Sequence, residues 1–189
     1  MKILVIPEDF RKDQYIIKPL VQALFQMHGK PHANIRICNP PLLQGISEAL
    51  KSERLREVVE RYRFVDLIIL CVDRDGELGR QTRLDQIEAE FGLNRHFFAE
   101  QAWEELETWT LAGLPLPKDW TWRQVREEIS VKELYFEKLA DLLQVSDGPG
   151  GGRKALGELA SKSLPAIISK CPEDFGKLSL RIQNFINGR

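Results

Sequence analysis

Residues Val65–Gly76 read VDLIILCVDRDG, and their reading decides the fold. Leu67, Ile68, Ile69, Leu70, Cys71 and Val72 run without interruption into Asp73 and Asp75, which are followed by Gly76. An unbroken aliphatic run of this length, without polar alternation, fits a central strand covered on both faces, as in a parallel sheet. Open α/β sheets place ligands at the carboxyl edge of such strands, where the two aspartates fall. Side chains at i and i+2 of an extended chain point the same way, so both carboxylates would reach one hard cation. The same residues also suit a strand followed by an Asp/Gly turn, since both types favour turns.

The flanking sequence alternates strands and helices. Lys2–Ile6 is a short apolar strand ended by Pro7 and then by Glu8 and Asp9. Ile16, Ile17, Leu20, Val21, Leu24 and Phe25 stand at helical spacing and predict a helix from an Asp13 cap to His28, with Pro19 early in it or at a kink. Asn34–Cys38 reads as a second strand, Asn39-Pro40-Pro41 as a loop, and Gly45–Tyr62 as a second helix capped by Ser47. A helix over Gly79–Phe91, with Arg80 and Arg83 exposed, then leads to a weaker strand over His96–Ala99. Ala102–Gly113 is a helical turn rich in acids and tryptophan. Beyond it come helices opened by Trp120, by a Ser130/Glu133 capping box, and over Ala155–Ile168 and Phe175–Ile186. This order predicts an α/β protein: a compact, mostly parallel four-stranded sheet flanked by helices in residues 1–113, and a helical extension in 114–189 packing on it.

Composition narrows the class. A chain of 189 residues, 43% hydrophobic and 29% charged, is of ordinary globular size. The net charge of −1 supplies no global attraction to nucleic acid, which leaves only a local patch for that purpose. The three cysteines (Cys38, Cys71, Cys171) are widely spaced and form no CxxC pair, which argues against zinc and for small core residues in a reducing compartment. MKILVIPED turns acidic too early for a signal peptide, and no apolar run approaches the roughly 20 residues of a membrane span. The expectation is a cytoplasmic protein with no membrane partner.

If the strands before Glu8 and Asp73 are neighbours, Glu8, Asp73 and Asp75 converge at one sheet edge. Such a cluster costs several kcal/mol in repulsion and desolvation unless a cation or protons neutralise it. An all-oxygen set without Cys or His suits Mg²⁺ or Mn²⁺, ions that activate water and stabilise charge on a phosphoryl group.

A glutamate after the first strand and Asp-x-Asp after a later hydrophobic strand resembles the TOPRIM superfamily of topoisomerase–primase domains and related nucleases. The rest of the chain looks like small stand-alone bacterial TOPRIM-like proteins, related to the nuclease part of overcoming-lysogenization-defect enzymes and encoded beside ABC- or SMC-type ATPases. Glu107-Thr-Trp109-Thr-Leu111-Ala112-Gly113 is similar to their Glu-x-Trp-x-Leu-Ala-Asp stretch, and Cys171-Pro172-Glu173-Asp174-Phe175 to their Cys-Pro-x-x-Phe element. Two positions depart: Pro7-Glu8-Asp9 replaces a Glu-Gly turn, which leaves Asp9 beside Glu8 as a candidate, and Gly113 replaces the terminal acid.

The resemblance implies a metal-dependent nuclease using Mg²⁺ or Mn²⁺, paired with an ABC/SMC-type ATPase in defence against phage or foreign DNA. Its substrate would be nucleic acid, DNA favoured over RNA, and self-association is left open. Glu8 would be a general acid/base or metal ligand, and Asp73 and Asp75 the ion holders. Glu77 and Glu107 are further metal candidates, and Lys154 a cation for the transition-state phosphate. The alternative is a non-cleaving TOPRIM-like subunit that binds nucleic acid or regulates the ATPase. A receiver-like phosphoacceptor also has acids at two strand ends, but it predicts a lysine after a late strand, which the chain lacks. Asp147–Lys154, DGPGGGRK, lacks the GK[S/T] ending of a phosphate-binding loop, so no ATP site is expected.

Overall fold

The computed structural model describes residues 1–39, 45–93 and 95–188. Strand β3 (Leu67–Asp73) lies inside the sheet with Leu67–Val72 buried, as its uninterrupted apolar run demands. It pairs in parallel with β1 (Lys2–Pro7) on one side and β4 (Phe97–Ala102) on the other, and β2 (Asn34–Ile37) pairs in parallel with β1. The sheet is therefore all parallel, in the order β2-β1-β3-β4.

Alternation along the strands sorts the core onto two faces. Ile3, Val5, Leu67, Ile69 and Cys71 face helix α1 (Phe10–Met27) and the helices that follow β4. Leu4, Ile6, Ile68, Leu70 and Val72 face α2 (Ile46–Ala49), α3 (Ser52–Arg61) and α4 (Arg80–Gly92). The chain thus leaves β1 over one face and returns through β3 and β4 under the other. The strand order reverses between β1 and β3, which opens a crevice at their carboxyl ends.

After β4 come α5 (Glu107–Ala112), α6 (Trp122–Glu127), a π-helical turn (Lys132–Phe136) running into α7 (Glu137–Leu142), α8 (Arg153–Ala160) and α9 (Leu164–Lys170). A second π-helical turn (Pro172–Gly176) leads into α10 (Lys177–Asn187). Phe136, Leu139, Leu156, Ile167, Phe175 and Ile182 from this segment join one continuous core with the sheet. No helix among the described residues is long and apolar enough to cross a membrane.

Several boundaries differ from the sequence expectation for local reasons. Asp9 and not Asp13 caps α1: its Oδ1 accepts from the Arg11 N–H at 2.9 Å, while Asp13 Oδ2 accepts from the Asp9 N–H at 2.8 Å. The single helix expected over Gly45–Tyr62 breaks between α2 and α3, where Lys51 is extended (φ −78, ψ 122), and Ser47 makes no cap. The capping box forms at Thr121 and Gln124, whereas Glu133 pairs with Lys132 at 2.7 Å and does not reach back to Ser130. Of the expected Asn39-Pro40-Pro41 loop, Pro40 and Pro41 lie outside the described residues.

Pro19 sits in the middle of α1, where its missing N–H leaves the Tyr15 carbonyl without its helical donor. Helix α8 closes on that spot through Gly157, whose added Cβ would stand 2.4 Å from the Tyr15 oxygen and 3.2 Å from the Ile16 Cα. Backbone cannot yield as a flexible side chain would. Gly157→Ala is expected to cost about 1–3 kcal/mol; a urea midpoint unchanged from that of the parent would refute the close approach.

Candidate active site

The β1/β3 crevice holds a pocket of about 160 Å³ that is built almost wholly from charged groups. Glu8 enters from the end of β1, Asp13 from the first turns of α1, and Asp73 from the last position of β3. Glu105 comes from the turn before α5 and Glu107 from its first position, and Lys12, Lys132 and Arg153 complete the lining with Asp9. Four of the sequence candidates, Glu8, Asp9, Asp73 and Glu107, are therefore brought together.

Asp73, Glu107 and Glu105 are each held by a specific partner. Asp73 Oδ1 accepts from the Leu106 backbone N–H at 2.9 Å, which seats α5 on the end of β3. Glu107, 4% exposed, pairs with the Arg153 guanidinium, itself anchored on the Gly150 carbonyl at 2.7 Å. Glu105 accepts from the Lys132 backbone N–H at 2.5 Å and faces the Lys132 ammonium at 4.0 Å. The π-helical turn places that N–H there. Glu8 Oε2 is buried with no hydrogen-bond partner among the described residues, as is Arg153 Nε, although the Ile46 and Asp73 backbones hydrogen-bond the Glu8 carboxyl.

Burial first, and crowding after it, raises the proton affinity of Asp73, Asp13, Glu105 and Glu8. Burial, then the charges of Glu107, Asp13 and Glu8, hold the Asp73 carboxyl well above the usual carboxylate range. Burial pushes Asp13 up to about 7, against the hydrogen bond from the Asp9 backbone, and does the same to Glu105, also to about 7. Glu8 is raised by burial and by the Asp75 charge.

A stability profile follows. These acids bind protons more tightly folded than unfolded, so stability is greatest where they are protonated and falls as pH rises from about 4 to about 7. His28, whose ring burial lowers its pKa, opposes this below pH 6.5, and the surface carboxylates Glu48, Glu90 and Glu133, held low by hydrogen bonds from Lys51, Ser52 and Lys132, oppose it only near the acid end of the range. In chelator, urea unfolding should show the protein less stable at pH 8 than at pH 5 by on the order of 2–4 kcal/mol. A flat or rising profile would contradict the crowding.

Asp75 does not follow Asp73 into the pocket. Its φ of 53 is left-handed, so the same-side rule for extended residues ends at Arg74. Asp75 is exposed instead, 3.8 Å from the Arg80 guanidinium, though its charge still reaches Glu8. The turn is locked by the buried Glu104, which pairs with Arg74 and accepts from the Gly76 N–H at 2.6 Å. Arg74 in turn lies over the Trp103 ring at 3.8 Å. Glu104 and Glu107 are thus buried and belong to no solvated helix face.

The remaining candidates lie elsewhere. Glu77 is exposed and accepts from the Gly79 N–H at 3.3 Å at the entry to α4. Lys154 is exposed and lines a different cleft, while its neighbour Arg153 turns into the pocket. Arg80 and Arg83, read as exposed, are engaged by Asp75 and by the Leu50 carbonyl at 2.8 Å.

Sequence reasoning missed Asp13, read as a helix cap, and it missed Lys12, Lys132 and Arg153 altogether. Asp13 carries the one usable signal, since it stands one helical turn beyond Asp9 and on the same face. Nothing local distinguishes Arg153 from Lys154.

Behind the pocket, the two resemblance segments meet. Trp109 is fully buried and packs edge-to-face on Phe175 at 5.1 Å between ring centroids. Asp174 Oδ2 accepts from Trp109 Nε1 at 2.7 Å and from the Trp103 N–H at 2.8 Å, and Arg126 binds both Asp174 oxygens.

The donor set fits a hard divalent cation: every acidic group offers oxygen, and one Glu8 oxygen lacks a partner among the described residues. Among the described residues, no three His, Cys, Asp or Glu side chains are already gathered around one ion position. No family model matches the chain, and neither a curated protein nor a solved structure matches it.

Proposed function

We propose that the protein is a TOPRIM-like, Mg²⁺- or Mn²⁺-dependent phosphodiesterase that cuts nucleic acid, DNA favoured over RNA. The observation that carries this reading is the partnerless Glu8 oxygen beside the crowded Asp73 carboxyl, at the point where the strand order reverses. Carboxylates whose proton affinity is raised by one another are stabilised when a cation takes the protons' place. Glu8, Asp73 and Asp13 are the residues that would hold the ion, with Glu107 able to join by exchanging Arg153. A divalent ion bound there supplies an activated water and charge compensation on a phosphoryl group.

The chain's own groups have distinct tasks in this reading. Asp73, seated on the Leu106 N–H, is the rigid anchor. Glu8, with one oxygen partnerless, is placed to take or give a proton. Arg153 takes the role earlier assigned to Lys154, since it stands in the pocket and presents a fixed fork to phosphate oxygens. The segments meeting at Asp174 support the relationship as well as the geometry. Pairing with an ABC- or SMC-type ATPase in anti-phage defence is the system this reading places it in.

The test is cleavage of labelled DNA and RNA with Mg²⁺, Mn²⁺ or chelator, with and without a candidate ATPase. Ion-dependent products are expected. Nucleic-acid or ATPase binding without products under any ion would favour the non-cleaving subunit, which the Glu107–Arg153 pair, already neutralised within the protein, also accommodates.

A further inference from the structure

A second cleft, of about 360 Å³, lies between α1 and α8. Tyr15, Lys18 and Pro19 form one wall, and Lys154 and Glu158 the other. Its lining adjoins that of the acidic pocket along both helices: Asp13 and Gln14 are chain neighbours on α1, and Arg153 and Lys154 on α8. Tyr15 packs on the glycine turn between them: a Cβ on Gly150 would stand 2.7 Å from the tyrosine ring, and Arg153 binds the Gly150 carbonyl. Beyond the cleft, Ala23 and Met27 of α1 and Lys162 after α8 line a further hollow.

Lysines mark this path from end to end. Lys12 stands at the acidic pocket, Lys18 and Lys154 in the cleft, and Lys162 in the hollow. None of the four makes an ion pair among the described residues, so their ammonium groups are free to meet an anion. Unpaired ammonium groups at intervals along a groove, with apolar lining and an aromatic ring between them, match a charged backbone carrying flat, stackable groups. The cleft is of small-molecule size, too narrow for a duplex.

We propose that the α1/α8 groove holds a single-stranded polynucleotide, phosphates on Lys18 and Lys154 and a base against Tyr15, and leads it to the acidic pocket. The direction of delivery rests on the reading of that pocket as the cutting centre.

The test is fluorescence anisotropy of the full chain with labelled dT20 and a 20-base-pair duplex, in chelator so that no cutting intervenes. Binding of dT20 in preference to the duplex is expected. Lys18→Glu/Lys154→Glu should weaken it at least about tenfold and flatten log Kd against log salt by roughly 0.7 per lysine. Tyr15→Leu should weaken it about fivefold or more. Arg61→Glu/Arg63→Glu, at and just past the end of α3 on the other face of the sheet, should leave it unchanged.

Both lysines are exposed, and a thermal melt confirms that the reversed protein still folds. Absence of dT20 binding, duplex preference, equal displacement by polyglutamate, or indifference to the lysine reversal would each overturn the proposal. Cleavage is read separately with Mn²⁺. Lysine-dependent binding without products would sustain the groove and sink the cutting centre; single-strand cleavage untouched by the reversal would do the opposite.

Discussion

Asp73→Asn should abolish ion-dependent cleavage, by about 10³-fold or more, while leaving the protein folded. Asparagine retains an oxygen to accept the Leu106 N–H, so the seat of α5 on β3 survives the change. What it loses is the charge. Burial and the neighbouring Glu107, Asp13 and Glu8 make that charge unfavourable in the free protein, so the variant in chelator at pH 8 should be more stable than its parent.

The parent should gain about 2.7 kcal/mol from an ion at 100 times its Kd, and the variant should gain far less. Opposite signs in activity and metal-free stability separate a site residue from a structural one. Asp75→Asn, exposed on the far side of the turn, should lower cleavage less than about tenfold. Cleavage of equal rate in Asp73→Asn and parent would remove the carboxyl cluster from the chemistry, and a larger loss in Asp75→Asn would invert the geometry.

Asp174→Ala should be the most damaging single change to stability outside the sheet. It strands three donors at once: the Trp103 N–H, the Trp109 indole and the Arg126 guanidinium, whose side chain is only 14% exposed. Arg126 then keeps only the exposed Glu173 at 3.2 Å, and losing its buried partner together with the acceptor of the two N–H groups costs about 3–5 kcal/mol, a large part of a total near 5–15 kcal/mol. Asp174→Asn keeps acceptors for the N–H groups but not the charge for Arg126, and should fall between.

The damage should reach the site, because Trp109 lies two residues beyond Glu107 on the short α5 and Trp103 precedes the buried Glu104. Urea unfolding followed by tryptophan fluorescence measures both effects. A loss below about 1 kcal/mol would show that the carboxylate is dispensable.

The sheet was legible in the chain because each of its signals is local. A strand buried on both faces has no polar alternation to obscure it, so Leu67–Val72 announced itself, and its neighbours were fixed by the strand–helix order. Helix starts were less legible. Asp9 and Asp13 are equal as caps by composition, and only the close of β1 at Pro7 favours the earlier one.

The carboxylates divide in the same way. Glu8 and Asp73 follow from their positions at strand ends, which parallel pairing of β1 and β3 makes neighbours. Asp75 was misjudged because one left-handed residue cancels the i, i+2 rule, and what holds that turn is Glu104, some thirty residues on and in contact only through the fold.

By itself, then, the sequence determined a mostly parallel, helix-covered sheet with acids at its carboxyl edge, since hydrophobic periodicity and strand order act over a few residues. The tertiary structure alone decided that Arg153 and not Lys154 faces those acids, that Asp13 and Lys132 join them, and that Lys154 opens instead onto a groove beside Tyr15. Adjacent residues on a helix point about 100° apart. Which of them meets the site depends on how α8 packs against α1, at the close contact of Gly157 with the Tyr15 carbonyl.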